Sequence, residues 1–142
     1  MTDAASDLSR FVTAQDGVYE QALEEVRAGR KRSHWMWFVF PQLDGLGFSE
    51  LARFYAIRNA DHARAYLRHP VLGPRLEQIS HAALAVDGLT AHQIFGSPDD
   101  LKLRSCATLF AIVSPEGSVC SKLLDRFFGG QPDERTLELL RS

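Results

Sequence analysis

The chain has 142 residues, 45% of them hydrophobic and 24% charged, with a formal net charge of -2. This length suits one domain whose core needs neither disulfides nor metals to fold, and the apolar content excludes a disordered chain. The near-neutral balance excludes a long-range positive field, so neither nucleic acid nor a membrane surface is an expected partner of the whole molecule.

The helices can be read in chain order. Ser6 or Asp7 caps a first one through Phe11 and Val12. Val18, Ala22 and Val26, four apart, predict a second over about 16–28, and Gly29 suits its left-handed stop. Next comes RKRSHWMWFVFP. Ser33 reads as an N-cap, His34 as the first helical residue, and Pro41 as the end of a short helix over 34–40. A strand here would lack a neighbour for its hydrogen bonds, so the spacing is read as helical.

After the loop DGLG, Ser49 opens a helix through Leu51, Phe54, Tyr55 and Arg58. Another covers 61–68 and breaks at His69-Pro70. Pro74 fits the first turn of a helix carrying Leu76, Ile79, Ala83 and Val86. Thr90-x-x-Gln93 spells a capping box for a brief helix ending at Gly96. Ser97-Pro98-Asp99-Asp100 supplies an N-cap, a proline in the first helical slot and two acids at the helix's positive end, for a helix reaching Val113. Two more helices, over 118–128 and 133–140, are separated by Gly129-Gly130. Strict two-residue alternation is absent. The expected fold is therefore all-α, a single multihelical domain over 1–142 with an ordered core of about 7–140.

Chemistry concentrates in two places. CATLFAIV, 106–113, is apolar nearly all round and predicts a helix surrounded by others. At its head Asp100, Arg104 and Thr108 share one stripe, while Lys102 lies on the stripe of Cys106 and Leu109 and points inward with it. A cation so placed must snorkel, pair with an acid or meet an anionic ligand. The competing reading is a surface Asp-Arg pair and a solvated lysine.

In the other stretch, Trp35, Trp37, Phe38 and Phe40 cover more than half a helix's circumference, which makes core packing their main work. Aromatic faces beside Arg30, Lys31 and Arg32 also make a stacking platform for a flat anion. A merely solvated turn is the bland alternative. Candidate ligand-binding residues are thus Arg32, His34, Trp35, Trp37, Lys102 and Arg104. His34 with Asp99 or Asp100 is the candidate proton-transfer set, with Lys102 or Arg104 against a developing negative charge.

No nucleophile elbow, phosphate loop or dinucleotide fingerprint is present. His62 and His69 have no third ligand in reach, and Cys106 and Cys120 match no zinc spacing, so neither metal nor cofactor is expected. The two cysteines read as reduced, partly buried thiols. The start, MTDAASDLSR, lacks the pattern of a signal peptide, and the cytoplasm is the expected location.

Four ordered motifs, GRKRSHWMWFVFPQLDGLG, YLRHPVLGPRL, IFGSPDDLKLRSCATLF and FFGGQPDERTLELL, resemble a mainly bacterial, all-helical family of unknown function whose members are sometimes labelled calpastatin-like. The resemblance spans nearly the whole chain. It implies a single helical domain, similar in fold to a mycobacterial protein of unknown function, and it supplies no activity and no catalytic residues. Calpastatin acts through disordered, repeated segments, which this apolar, repeat-free chain does not resemble. Three readings follow: a binding or regulatory module for an anionic small molecule, a pocketless interaction domain or homodimer, and a small enzyme built on His34.

Overall fold

A central helix sets the architecture. In the computed structural model, which describes residues 8–141, α8 (Asp99–Ile112) buries Leu103, Ser105, Cys106, Ala107, Thr108, Leu109 and Phe110. Six consecutive residues, Ser105 to Phe110, are buried, which takes in every side of the helix, so neighbours enclose it. They are α5 (Ala60–Arg68), α7 (Ala91–Phe95), α9 (Val119–Phe128) and α10 (Glu134–Arg141). A second helix, α6 (Leu72–Leu84), packs on α5, α9 and α2 (Tyr19–Arg27). The remaining elements are α1 (Ser9–Gln15), α3 (Met36–Val39) and α4 (Glu50–Phe54), which makes ten helices and no strand among the described residues. The all-α expectation is met. No helix of the described residues is long and apolar enough to cross a membrane.

Local signals explain most boundaries. Ser49, Thr90 and Ser118 accept from backbone N–H groups at the starts of α4, α7 and α9, and Thr90 with Gln93 forms the reciprocal capping box. Gly29 and Gly129 take φ of 75° and 60° after α2 and α9, the left-handed stop that side chains disfavour. Ser6 and Asp7 lie outside the described residues.

Three expectations are corrected. The helix read over 34–40 is only Met36–Val39, and Ser33 does not cap it, because its N–H and hydroxyl are both drawn to Glu25. Ser97 does not cap α8 either; Pro98 occupies that position, and the Ser97-Pro98 peptide is cis. The helix read through Arg58 stops at Phe54, because Ile57 is fully buried and exchanges backbone bonds with the 42–44 segment: Ile57 N to Gln42 O at 2.9 Å and Asp44 N to Ile57 O at 2.8 Å.

Buried polar groups are tied across elements. The Gln15 amide donates to the Phe38 carbonyl at 2.7 Å and to the Tyr66 hydroxyl at 3.2 Å, and Arg75 donates to Gln15 at 3.3 Å. Gln15 thus joins α1, α3, α5 and α6. Cys106 and Cys120 are buried free thiols; burial raises both pKa values, that of Cys120 to about 12, which leaves them poor nucleophiles. Among the described residues no group of three or more His, Cys, Asp or Glu side chains is placed to hold a metal ion.

The α5–α6 crossing depends on Gly73. A Cβ there would lie 2.0 Å from the Leu67 carbonyl oxygen, a backbone atom that cannot step aside. Gly73→Ala is expected to cost about 1–3 kcal/mol. Thermal unfolding reads it; a wild-type melting temperature would show that the crossing relaxes freely.

Candidate functional site

The site starts from an acid on α2. Glu25 directly precedes Val26 and shares its buried side, at 8% exposure. The chain after Gly29 wraps around this carboxylate. Its Oε1 accepts from Arg32 N at 2.7 Å, Ser33 N at 2.9 Å and Trp35 Nε1 at 2.9 Å, and its Oε2 from Ser33 Oγ at 2.7 Å and Gln21 Nε2 at 3.0 Å. Burial alone would raise the carboxyl's pKa, but the bonds from Ser33, Arg32 and Trp35 outweigh it and lower the value to about 2. Glu25 is therefore an internal anchor, and it satisfies the indole N–H of Trp35.

The wrapped segment delivers Lys31 to the head of α8. Its backbone N–H donates to the Ile94 carbonyl at 2.7 Å, pinning the loop on α7. Its ammonium lies 2.8 Å from Asp99 Oδ2, donates to the Ser33 carbonyl, and stands 5.0 Å from the centroid of the Trp35 ring. One turn on, the Lys102 ammonium lies 3.5 Å from Asp99 Oδ1 and 4.9 Å from the Trp37 centroid. The order is Trp35, Lys31, Asp99, Lys102, Trp37: two cations, each backed by an indole, share one carboxylate. Two positive charges against one negative leave a surplus of one positive charge. Lys31 is nearly enclosed at 8% side-chain exposure, whereas Lys102, at 21%, reaches solvent.

Lys102 opens onto a cleft of 360 Å³ between the 42–52 segment and the first turns of α8, with Gln42, Phe48, Leu101, Ser105 and Asp133 also on its walls. The one acid there, Asp133, is engaged by Thr136, accepting from its N–H at 2.9 Å and its hydroxyl at 2.6 Å. That size lies within the range of small-ligand sites. A larger cleft of 470 Å³ near Arg58, Asn59 and Arg64 contains none of the sequence candidates, and Arg64 is already paired with Asp61 at 2.7 Å.

The structure thus brings Trp35, Trp37, Lys102 and Asp99 together and leaves the other candidates apart. Arg104 donates to the Gln131 carbonyl at 2.9 Å and stacks on Phe128. Asp100 faces His92 at 3.4 Å. Arg32 is exposed and, with Arg30 and Glu24, borders a different open cleft around Glu25. His34 is exposed, precedes α3 rather than starting it, and lines neither of the clefts beside Lys102 and Glu25. None of the four clefts described among these residues is lined by His34 together with Asp99 or Asp100. The two indoles support the lysines from behind and are not walls of the cleft.

Sequence reasoning missed Glu25, the Lys31–Asp99 pair and Phe48. Glu25 had a usable signal: an acid on the inner side of an amphipathic helix, followed by a donor-rich loop.

The chain was compared with known proteins. The pattern of a family described as "Protein of unknown function (DUF1810)" matches residues 5–140. The crystal structure of the conserved hypothetical protein Rv1873 from Mycobacterium tuberculosis is 51% identical, over 96% of this chain and 97% of that one, and superimposes with a TM-score of 0.93. No curated protein matches.

Proposed function

We propose, on the premise that this chain belongs to the DUF1810 family of proteins of unknown function and takes no activity from that membership, that it is a binding module for an anionic small molecule. The observation that carries this reading is Lys102, held at the edge of the cleft by Trp37 and by a carboxylate already neutralised by Lys31. An anion entering the cleft meets a cation whose partner is shared, with the Gln42 amide on the same wall, while the Asp133 carboxylate at the rim is occupied by Thr136 and the Ser105 hydroxyl by the Leu101 carbonyl. The spread of the proton-transfer candidates over separate parts of the molecule favours binding over catalysis, and a cytoplasmic location accords with two buried free thiols.

Thermal-shift titration with inorganic phosphate, nucleotides and phosphorylated sugars tests the reading. An anion at a hundred times its Kd stabilises the fold by about 2.7 kcal/mol. Lys102→Ala is expected to abolish that shift while costing no more than about 1 kcal/mol of stability by itself. If no anion stabilises the wild type, or if the shift survives in Lys102→Ala, the proposal fails.

A second reading has its own support. Phe48, Leu51 and Phe54 are exposed on one short segment, with Leu101 opposite across the cleft, a pattern suited to a contact surface. Light scattering over a wide concentration range separates the two, because self-association through this patch makes the apparent mass rise with concentration.

A further inference from the structure

One wall of the Lys102 cleft is built unlike the rest of the molecule. α4 buries none of its residues, and Phe48, just before it, is 80% exposed. Leu101, on the opposite wall, is 57% exposed. Single exposed apolar side chains are ordinary. Here, of five exposed large hydrophobics among the described residues, Phe48, Leu51 and Phe54 sit on this segment and Leu101 faces it, and a concentration of that kind marks a recognition surface.

The segment is also attached as a flap would be. Its base is fixed by the paired bonds between Ile57 and the 42–44 segment. The next tie to the rest of the chain is Arg10 Nη1 donating to the Phe54 carbonyl at 2.9 Å. Between them, the hydrogen bonds of 45–53 stay within the 45–56 loop, among the described residues: Ala52 N to Ser49 Oγ at 3.1 Å, Arg53 N to Ser49 O and Tyr55 N to Leu51 O both at 3.1 Å. Gly45 takes φ of 102°, and Gly47 packs so tightly on Ala52 that a Cβ would come within 2.4 Å of the alanine methyl. The unit is internally rigid, and its flanks are held: Gly45 lies against Leu139, Leu46 packs on the core and Phe54 sits beneath the Arg10 guanidinium, which leaves the tip over 47–53 with hydrogen bonds only inside the loop.

We infer that the 47–53 tip is a flap, and that the ligand of this cleft is an amphiphilic anion whose charged group meets Lys102 while an apolar, ring-sized body lies beneath Phe48 as it turns in against Leu101. The inference rests on the binding reading above and narrows it. A fully hydrated inorganic anion has no use for Phe48 and Leu101, whereas a ring beside the charge removes both from water on closure.

Calorimetric titration with two probes tests it: inorganic phosphate, and phenyl phosphate, which adds only the ring. Phenyl phosphate is expected to bind at least tenfold more tightly, a difference of about 1.4 kcal/mol. Phe48→Ser, an exposed position where folding is safe, is expected to bring the ratio below threefold. Leu101→Ser does so from the opposite wall. Amide exchange over 45–53 slows with phenyl phosphate and not with phosphate. Equal binding of the two probes, or a tenfold ratio that survives in both variants, overturns the inference and leaves the anion site standing. Failure of both probes to bind the wild type overturns both.

Discussion

Replacing Glu25 with alanine is expected to cost about 3–5 kcal/mol in urea or thermal unfolding. The loss does not come from one ion pair. Three donors, Arg32 N, Ser33 N and Trp35 Nε1, converge on a single oxygen, and the indole among them is fully enclosed. Each buried donor left without a partner costs about 1–3 kcal/mol. Glu25→Gln keeps the shape and one acceptor but turns an amide NH₂ toward groups that donate, so it falls between wild type and alanine. Loss of less than about 1 kcal/mol in Glu25→Ala would mean that the 30–35 loop is held by something other than this carboxylate.

The same residue makes stability depend on pH. Unfolded, the carboxyl titrates near its ordinary 4.5; folded, the value is lowered to about 2. As pH falls the unfolded state takes up a proton first, so this group's contribution is complete above pH 4.5 and is lost between there and pH 2. With about 1.36 kcal/mol per unit of pKa difference, the loss is on the order of 3 kcal/mol. Glu25→Gln should flatten the stability curve in that window. An unchanged slope would assign acid lability to other carboxylates.

What could be read from the sequence follows a physical division. Signals confined to four or five residues were legible: the Thr90–Gln93 box, the helix start at Ser49, and the glycine stops at 29 and 129. Ser33 was misread because a cap is a competition, and a distant buried carboxylate is a stronger acceptor site than a helix start is a donor. The meeting of Lys102 with Trp37 was within reach, since inward-pointing stripes on two elements have few places to go. The capture of Lys31 by Asp99 was not, because it depends on how the Glu25-bound loop turns. The exposure of Phe48 and Leu51 was invisible for the opposite reason: an apolar residue at helical spacing looks the same whether it faces a core or a cleft.

Asp99→Ala is expected to be comparably severe, at about 3–4 kcal/mol, although its surroundings are only partly buried. The reason lies in what remains. Lys31, 8% exposed, would keep only the Ser33 carbonyl and the face of Trp35, and would stand near a second ammonium with nothing between them. A desolvated cation is far more costly unpaired than a surface one. If that is the origin of the loss, removing the stranded charge restores stability. Lys31→Met fills the space without the charge and leaves Asp99 to Lys102, so the single variant should cost little and the double variant Lys31→Met/Asp99→Ala should be markedly more stable than Asp99→Ala. The coupling in this cycle is expected to be at least about 1–2 kcal/mol. Additive losses would show instead that Asp99 acts chiefly at the start of α8, where an acid in the first turn contributes about 0.3–1 kcal/mol, and that the surplus charge offered to a ligand at Lys102 is not set by the buried lysine.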